Sequence, residues 1–375
     1  MKIAIIILAC RDYESLELTL AAHARFLDKK AQYFIIINCN NDYDSEKTKQ
    51  VAYRYALLFP ERFTVIDTIA PSHPYTTIKN FLSSPDGSNF ELIFKQDDDI
   101  FPLTDTWLSD LTQGLNIADE STAYITPLIN NNTWGFKEVI EAMNINEEYY
   151  KSISMRHRIG SGDNEYPFRM IDEDEIYSGG FGTIWGLPHV ARWLHKKTTL
   201  NPNDYIIATK NLSIIEIPST DRYSIGAILF KRDLWFKIND GTADDEKMLH
   251  EYCKSTKNKI ICVRSVPFIH LNYYSQREEN RDITTLAKKV YQDWLNNPWP
   301  ISVHTDKLND IEARLRYQEK QINILNTKMQ NAFQNEELFY NEYKNKVGGM
   351  DIDEAGKKAF KAIIKSISRK LFFLR

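Results

Sequence analysis

Three consecutive aspartates, Asp97, Asp98 and Asp99, follow an apolar run in the stretch ELIFKQDDDIF at residues 91–101. Like charges repel each other and burial raises their cost, so such a cluster requires a positive partner. Asp97 and Asp99 are spaced by one residue, which lets both carboxylates face one crevice at the end of a strand. Hard divalent cations prefer carboxylate oxygens and complete their shells with water and substrate phosphates. The cluster therefore predicts a Mn²⁺ or Mg²⁺ site, with a solvated acidic turn or a helix cap as the alternative.

The segments that lead to this cluster alternate between two periodicities. Strand-like apolar runs cover residues 2–10, 32–40, 63–69 and 91–95, and helical spacing covers residues 14–27, 45–58 and 75–82. Strands that are apolar at every residue and separated by helices predict a parallel sheet covered on both faces. The predicted fold class is therefore α/β, with a Rossmann-like, mostly parallel sheet and helices on both faces. Such sheets bind ligands at the carboxyl ends of their strands, where the acidic cluster lies.

The composition limits the class of protein. The 375 residues are 43% hydrophobic with a net charge of -4, which allows a buried core and disfavours nucleic acid as a general partner. The four cysteines form no C-x-x-C pair, which indicates free thiols in a reducing cytoplasm. The first residues, MKIAIIILAC, predict a strand rather than a signal peptide, and no later run approaches the roughly 20 apolar residues of a membrane span.

Residues 130–222 are polar, aromatic and acidic, and their periodicity is weak, which predicts an irregular insertion over the sheet. Within it, YSGGFGTIWG at residues 177–186 combines glycines with aromatic rings. Glycines permit a close backbone approach and aromatic faces stack on sugars, so this stretch, together with Trp134 and Trp185, is a candidate acceptor cleft or lid. The equally good alternative is stacking within an ordinary loop.

The last part of the chain changes character. Residues 304–347 carry apolar side chains at heptad a and d positions, which predicts a coiled coil and hence a homo-oligomer of two or three copies; a long helix packed against the body is the alternative. Gly348 and Gly349 then form a hinge. Residues 350–375 place apolar side chains on one face and basic ones on the rest, which is typical of a helix that lies on an anionic membrane.

The order of these features resembles that of GT-A glycosyltransferases, particularly the inverting family 2 type. That family has a D-x-D after its fourth strand, matched by FKQDDDIF, and an acidic helix start in its second half. Here GAILFKR at residues 226–232 precedes ADDEKML at residues 243–249, and PFIHL with His270 follows. The resemblance covers about residues 1–275. It implies a GT-A domain at 1–303 made of a nucleotide-binding half at 1–110, the insertion at 130–222 and an acceptor half at 223–303.

The resemblance also implies which residues contact a nucleotide-sugar donor. ACRDY stands where the family has a T-Y-N-R loop, which is a departure. The matched positions for donor binding are Cys10, Arg11, Asn38, Asp42, Lys79, Asn80, Asp97 and Asp98. The implied metal ligands are Asp97, Asp99 and His270, and the alternative for His270 is a phosphate contact or a buried structural role.

The acidic run at residues 244–246 would supply the general base that takes the proton of an acceptor hydroxyl. By the resemblance this base is Asp245, and Asp244 and Glu246 remain candidates because the run permits a shift of one residue. The alternative for these carboxylates is to cap a helix N-terminus and compensate its dipole.

Together these features predict a cytoplasmic glycosyltransferase, peripheral on the inner face of the cell membrane. It would transfer a hexose from a nucleotide sugar to a saccharide acceptor on a lipid carrier, with a divalent metal and inversion, in bacterial surface polysaccharide or lipopolysaccharide assembly. One alternative is a sugar nucleotidyltransferase, against which the absence of a glycine in ACRDYES counts. Another is a non-catalytic membrane-attached scaffold with a degenerate GT-A domain.

Overall fold

The structure is a computed structural model that describes residues 2–10, 12–28, 30–39, 43–131, 135–149, 158–159, 169–170, 188–217, 219, 223, 225–238, 244–271 and 281–296. These residues belong to one compact unit that spans residues 1–301. The predicted coiled coil at 304–347, the amphipathic helix at 350–375 and the stretch at 177–186 lie outside the described residues, as do Trp134 and Trp185. The predicted domain boundaries therefore stay predictions.

The described strands are β1 (Ile3–Ala9), β2 (Ala31–Ile37), β3 (Phe63–Ile66), β4 (Leu92–Asp97), β5 (Ile100–Pro102), β6 (Thr122–Ile129), β7 (Arg158–Ile159), β8 (Arg169–Met170), β9 (Ile214–Ile217), β10 (Ala227–Lys231) and β11 (Lys259–His270). Within the described residues, nine of them form one sheet in the order β3-β2-β1-β4-β10-β6-β11-β5, with β9 paired to β11, and β7 pairs with β8 separately. Six strands of the large sheet run in one direction, and β5, β9 and β10 run in the other.

The described helices are α1 (Tyr13–Arg25), α2 (Tyr43–Leu58), α3 (Pro74–Ser83), α4 (Trp107–Gln113), α5 (Phe136–Ala142), α6 (Asn146–Glu148), α7 (Pro188–Lys197), α8 (Pro202–Thr209), α9 (Leu234–Lys237), α10 (Asp245–Thr256), α11 (Arg281–Val290) and α12 (Gln292–Asn296), with a 3-10 turn at Gly114–Asn116. None of the described helices is long and apolar enough to cross a membrane.

Both faces of the sheet are covered, which explains why β1 is buried at every residue. Successive side chains of a strand point to opposite faces. Ile5 and Ile7 belong to the apolar cluster that contains Leu16 of α1, whereas Ile6 belongs to the cluster that contains Ile78 of α3. The predicted α/β class, with a mostly parallel sheet between helices, is confirmed.

Regular structure occupies both ends of residues 130–222, which the sequence pattern predicted to be irregular. Helix α5 lies at its start, and α7, α8 and β9 lie towards its end. In α7 the buried residues Val190, Ala191 and Leu194 do follow helical spacing. The helix is only 10 residues long, so its short apolar stripe is hard to distinguish from the polar and aromatic sequence around it.

His23 is buried where α1 packs against one face of the sheet. The side chain of His23 is 0% exposed, and its Nε2 lies 2.9 Å from Oε1 of Gln96 on β4. The rings of Tyr33 and Trp107 pack against it, with centroid distances of 5.3 and 5.4 Å. Burial lowers the pKa of His23 from 6.5 to about 4, against the opposite effect of its hydrogen bond to Gln96.

This burial predicts a loss of stability in mild acid. The unfolded chain takes up a proton on His23 below pH 6.5, whereas the folded chain does so only near pH 4. The neutral, buried His23 therefore contributes fully to the free energy of unfolding above pH 6.5, and this contribution is lost as the pH falls from 6.5 to 4. The loss is on the order of 3 kcal/mol in the free energy of unfolding. We expect His23→Gln, whose amide can still donate to Gln96, to flatten the pH dependence measured by urea unfolding between pH 7 and 4. Equal slopes for the two proteins would contradict this assignment.

Candidate active site

The acidic cluster forms the turn between β4 and β5. Asp97 is the last residue of β4, and Ile100 is the first residue of β5. The backbone N–H of Asp97 donates to the carbonyl of Gly226 at 2.9 Å, and the carbonyl of Asp99 accepts from the backbone N–H of Leu271 at 3.0 Å. The turn is therefore fixed from both sides by segments that come more than a hundred residues later in the chain.

The three aspartates have different surroundings. Asp97 has a side chain that is 40% exposed, whereas Asp98 and Asp99 are 4% and 2% exposed. Oδ2 of Asp98 accepts a hydrogen bond of 2.7 Å from the backbone N–H of Cys10, directly after β1. Oδ1 of Asp99 lies 3.4 Å from Nε2 of His270, the last residue of β11. The turn thus joins the carboxyl ends of β1, β4 and β11, where the fold pattern places a ligand crevice.

The positive partner of the cluster is Lys95, which the sequence analysis did not identify. Lys95 precedes Asp97 by two residues on β4, so the two side chains share one face of the strand. Its Nζ lies 2.8 Å from Oδ1 of Asp97 and donates to the carbonyl of Ile225 at 3.1 Å, and the side chain is 3% exposed. Burial alone would lower the pKa of Lys95, but the carboxylates of Asp97 and Asp245 outweigh it and the net pKa is raised. Lys95 is therefore a charged, buried ammonium near the carboxyl end of β4.

The acidic run at the start of α10 separates into two roles. Asp244 is the N-cap residue, and its Oδ1 accepts from the backbone N–H of Lys247 at 2.9 Å. The capping role that the sequence left open therefore belongs to Asp244. Asp245 is the first residue of the helix, and its side chain is 15% exposed.

Asp245 faces the acidic turn. Its Oδ2 lies 4.0 Å from Nζ of Lys95 and has no hydrogen-bond partner in the described part of the chain. Burial raises the pKa of the Asp245 carboxyl, the charge of Lys95 lowers it, and the charges of Asp97 and Asp244 add to the rise, which is the net result. The structure therefore brings Asp97, Lys95 and Asp245 into one electrostatic cluster.

Asn38, one of the predicted donor-binding residues, directly follows β2, and its backbone N–H donates to the carbonyl of Ala9 at 2.7 Å. Its side-chain amide pairs with the backbone of Ser72 in both directions at 2.9 Å, and its Oδ1 also accepts from Thr77 Oγ1 at 3.0 Å. These contacts fix the segment that leads into α3. Arg11 and Asp42 lie outside the described residues.

Lys79 and Asn80 lie on α3. Nζ of Lys79 is 5.3 Å from the ring centroid of Tyr75, one turn earlier on the same helix, and Asn80 is exposed. Their position relative to a nucleotide stays a prediction.

His270 is held by a buried polar network. Asn130 accepts from the backbone N–H of His270 through Oδ1 at 2.8 Å, and Asn131 donates to its carbonyl at 2.9 Å. His195 of α7 lies close to His270 and Asp99, and its pKa is lowered to about 3, first by burial and then by the charge of His270. Asn130, Asn131 and His195 were missed by the sequence analysis, although NNN directly after an apolar run is a visible signal.

The predicted metal ligands are brought together only in part. Asp99 and His270 are in contact, and Asp97 stands at the other end of the same turn. Among the residues that the structure describes, no three His, Cys, Asp or Glu side chains are arranged to hold a metal ion. The metal set of Asp97, Asp99 and His270 therefore stays a prediction.

No protein-family model matches the chain, and no curated protein matches it in sequence. Many solved structures are distantly similar, among them the following three. A bifunctional glycosyltransferase, WbbM, in its apo form has 13% identity and a TM-score of 0.30, and the match covers 77% of this chain and 37% of WbbM. A mannose-1-phosphate geranyltransferase from Thermus thermophilus has 9% identity and a TM-score of 0.33, over 72% and 76% of the two chains. The mannosyltransferase PcManGT from Pyrobaculum calidifontis, in complex with GDP-Man and Mn²⁺, has 9% identity and a TM-score of 0.31, over 84% and 79%.

A glycine supports the acidic turn. A Cβ at Gly226 would lie 2.4 Å from Cδ1 of Ile100, which is buried, and 3.3 Å from Oδ2 of Asp97. We expect Gly226→Ala to lower the free energy of unfolding by about 1–3 kcal/mol, because the added methyl overpacks the core. Urea unfolding measures this loss.

Ile100→Val provides the matched control because it removes the crowded Cδ1 atom. Alone it should cost about 0.5–1.5 kcal/mol. Combined with Gly226→Ala it should recover part of the loss, so that the double variant is more stable than the two single losses together predict. Simple additivity would show that the contact at Ile100 is not the cause.

Proposed function

We propose that this protein is a nucleotide-sugar-dependent glycosyltransferase whose reaction takes place between the acidic turn and the start of α10. The observation that carries the proposal is the convergence of Asp97 and Asp245 on Lys95, with a buried oxygen of Asp245 that has no hydrogen-bond partner in the described part of the chain. A mostly buried carboxyl with a raised pKa, such as that of Asp245, is costly to keep, and such groups concentrate at functional sites. Asp97 is the last residue of β4, and an α/β sheet binds ligands at the carboxyl ends of its strands.

The residues of the turn fit a hard divalent cation. Asp97 and Asp99 supply carboxylate oxygens, and Asp97 is 40% exposed. A Cβ at position 226 would lie 3.3 Å from Oδ2 of Asp97, so the glycine there keeps that side of the carboxylate open. Asp97 and Asp99, with His270 beside Asp99, would hold Mn²⁺ or Mg²⁺, and such ions usually take their other ligands from water and phosphate. When bound, the ion stabilises the negative charge of a leaving diphosphate.

Asp245 is the group best placed to act as the general base. An acceptor hydroxyl must lose its proton as it attacks, and a base works best when its pKa lies near the working pH. The burial of Asp245 shifts its pKa in that direction. Asp244, in contrast, is committed to the N-cap of α10.

The wider assignment rests on the sequence pattern. We propose a hexose as the transferred sugar, inversion at the sugar carbon, and an acceptor built on a lipid carrier in bacterial surface polysaccharide or lipopolysaccharide assembly. Residues 350–375 would bind the anionic inner face of the cell membrane, and residues 304–347 would join copies of the chain. A basic amphipathic segment next to a donor-binding domain suits an acceptor presented at a membrane surface.

The donor site is tested by titration calorimetry with nucleoside diphosphates in the presence and absence of Mn²⁺. We expect at least one diphosphate to bind more tightly with Mn²⁺, and we expect Asp97→Ala and Asp99→Ala to remove this gain, because each deletes a carboxylate ligand. Asp86→Ala, which changes an exposed carboxylate after α3, is the control and should bind like the unmodified protein. Retention of the Mn²⁺ effect in both site variants would contradict the assignment, and a panel of nucleotide sugars then identifies the donor.

The base is tested by comparing Asp245→Asn with Asp244→Asn. Loss of a general base costs about 10²–10⁴-fold in kcat. Asparagine caps a helix about as well as aspartate, so Asp244→Asn should remain within a few fold of the unmodified protein. Asp245→Asn should also raise Tm, because it removes a carboxylate whose ionised form burial disfavours. Full turnover by Asp245→Asn would show that another group takes the proton.

A further inference from the structure

The ammonium of Lys95 has three donor hydrogens and three nearby oxygen atoms, which lie at different distances from Nζ. Asp97 Oδ1 at 2.8 Å and the carbonyl of Ile225 at 3.1 Å are within hydrogen-bond distance. Oδ2 of Asp245 is 4.0 Å away, close enough for attraction and too far for a hydrogen bond. Lys95 is therefore bonded to one carboxylate and adjacent to a second that has no hydrogen-bond partner at Oδ2 among the described residues.

We propose that Lys95 is an internal counter-ion that competes with the divalent cation for Asp97 and turns to Asp245 when the cation binds. This inference rests on the proposed function, because it assumes that Asp97 takes a cation. In it Lys95 is a positioning residue that acts through Asp97 and Asp245.

The competition follows from the geometry at Asp97. The carboxylate that would bind the cation already carries the Lys95 ammonium at 2.8 Å. Two positive charges on one carboxylate repel each other strongly, above all where one of them is 3% exposed and poorly screened by water. Part of the free energy of cation binding must therefore be spent on displacing Lys95.

The direction of that displacement is also fixed. The bond to the Ile225 carbonyl holds the ammonium in place, and the nearest other negative charge is Asp245. A shift of roughly 1 Å turns the separation of 4.0 Å into a hydrogen bond. One oxygen of Asp245 would then be fixed by Lys95, which orients the carboxylate for a proton from the acceptor. Cation binding would in this way complete the geometry of the base.

The test uses the full chain and Mn²⁺ alone, followed by electron paramagnetic resonance without nucleotide. Lys95→Met keeps the length of the side chain and removes its charge. We expect this variant to bind Mn²⁺ about tenfold more tightly or better, a gain that Asp97→Asn should cancel in the double variant. In the transfer assay kcat should fall about tenfold or more with KM for the donor unchanged, because the donor site is intact and the base is not oriented. A lysine that only supports the fold would weaken both properties when removed.

Asp245→Asn keeps the inference testable if Lys95→Met fails to fold. Without the Asp245 carboxylate, Lys95 has lost the nearest carboxylate to which it could turn when a cation displaces it from Asp97. Mn²⁺ should therefore bind more weakly to Asp245→Asn than to the control Glu251→Gln, which removes a negative charge elsewhere on α10. Circular dichroism establishes that each variant is folded.

The outcomes separate this inference from the proposed function. If the unmodified protein transfers sugar with Mn²⁺ and folded Lys95→Met binds Mn²⁺ equally or less tightly, the inference is overturned and the proposed function stands. If only Lys95→Met binds Mn²⁺, competition is established in its strongest form. If neither protein binds Mn²⁺, nor any nucleoside diphosphate, both the inference and the proposed function are wrong.

Discussion

The site depends on one buried ammonium. Nζ of Lys95 lies 2.8 Å from Oδ1 of Asp97 and 4.0 Å from Oδ2 of Asp245, which belong to elements about 150 residues apart in the chain. Without it, the carboxylates of Asp97 and of the mostly buried Asp245 would lie close together with no positive charge between them, and such a pair would favour protonation or separation. A buried ion pair adds little net stability compared with apolar packing. Its value here is to keep two acids close, charged and aligned.

The fold supplies the rigid frame that this arrangement requires. β1 and β4 lie in the middle of the sheet, with apolar clusters on both faces, so the turn at Asp97–Asp99 starts from a position that cannot shift easily. Asp98 ties the turn to the residue after β1, and Asp99 lies against the end of β11. Asp97 is the most exposed of the three and therefore the most accessible to a ligand from outside. Asp98 and Asp99 thus help to fix the turn, and Asp97 is the carboxylate that the turn exposes most.

Much of this organisation could be predicted from the sequence because it depends on local patterns. The apolar runs identified β1 to β4, and the end of the fourth run placed the acidic cluster at the carboxyl end of β4. The role of Lys95 could not be predicted, because a lysine in a strand gives no sign of its distant partners until the position of Ile225, just before β10, is known. The choice between Asp244 and Asp245 depended on where α10 begins, a difference of one residue that no periodicity resolves. The amide of Asn38 is paired with Ser72, 34 residues away, which is equally invisible to local analysis.

The position of β10 has a consequence for how the chain is made. This strand separates β4 from β6, yet it is formed by residues 227–231. When only the residues up to β6 have left the ribosome, β10 has not yet been made. The edge of β4 that will pair with β10 is then open to water and to other chains. Ile225, whose carbonyl accepts from Lys95, and Gly226, whose carbonyl accepts from the backbone N–H of Asp97, are made just before β10. The charged centre of the molecule can therefore form only after β10, and Asp245 behind it in the chain, have been made.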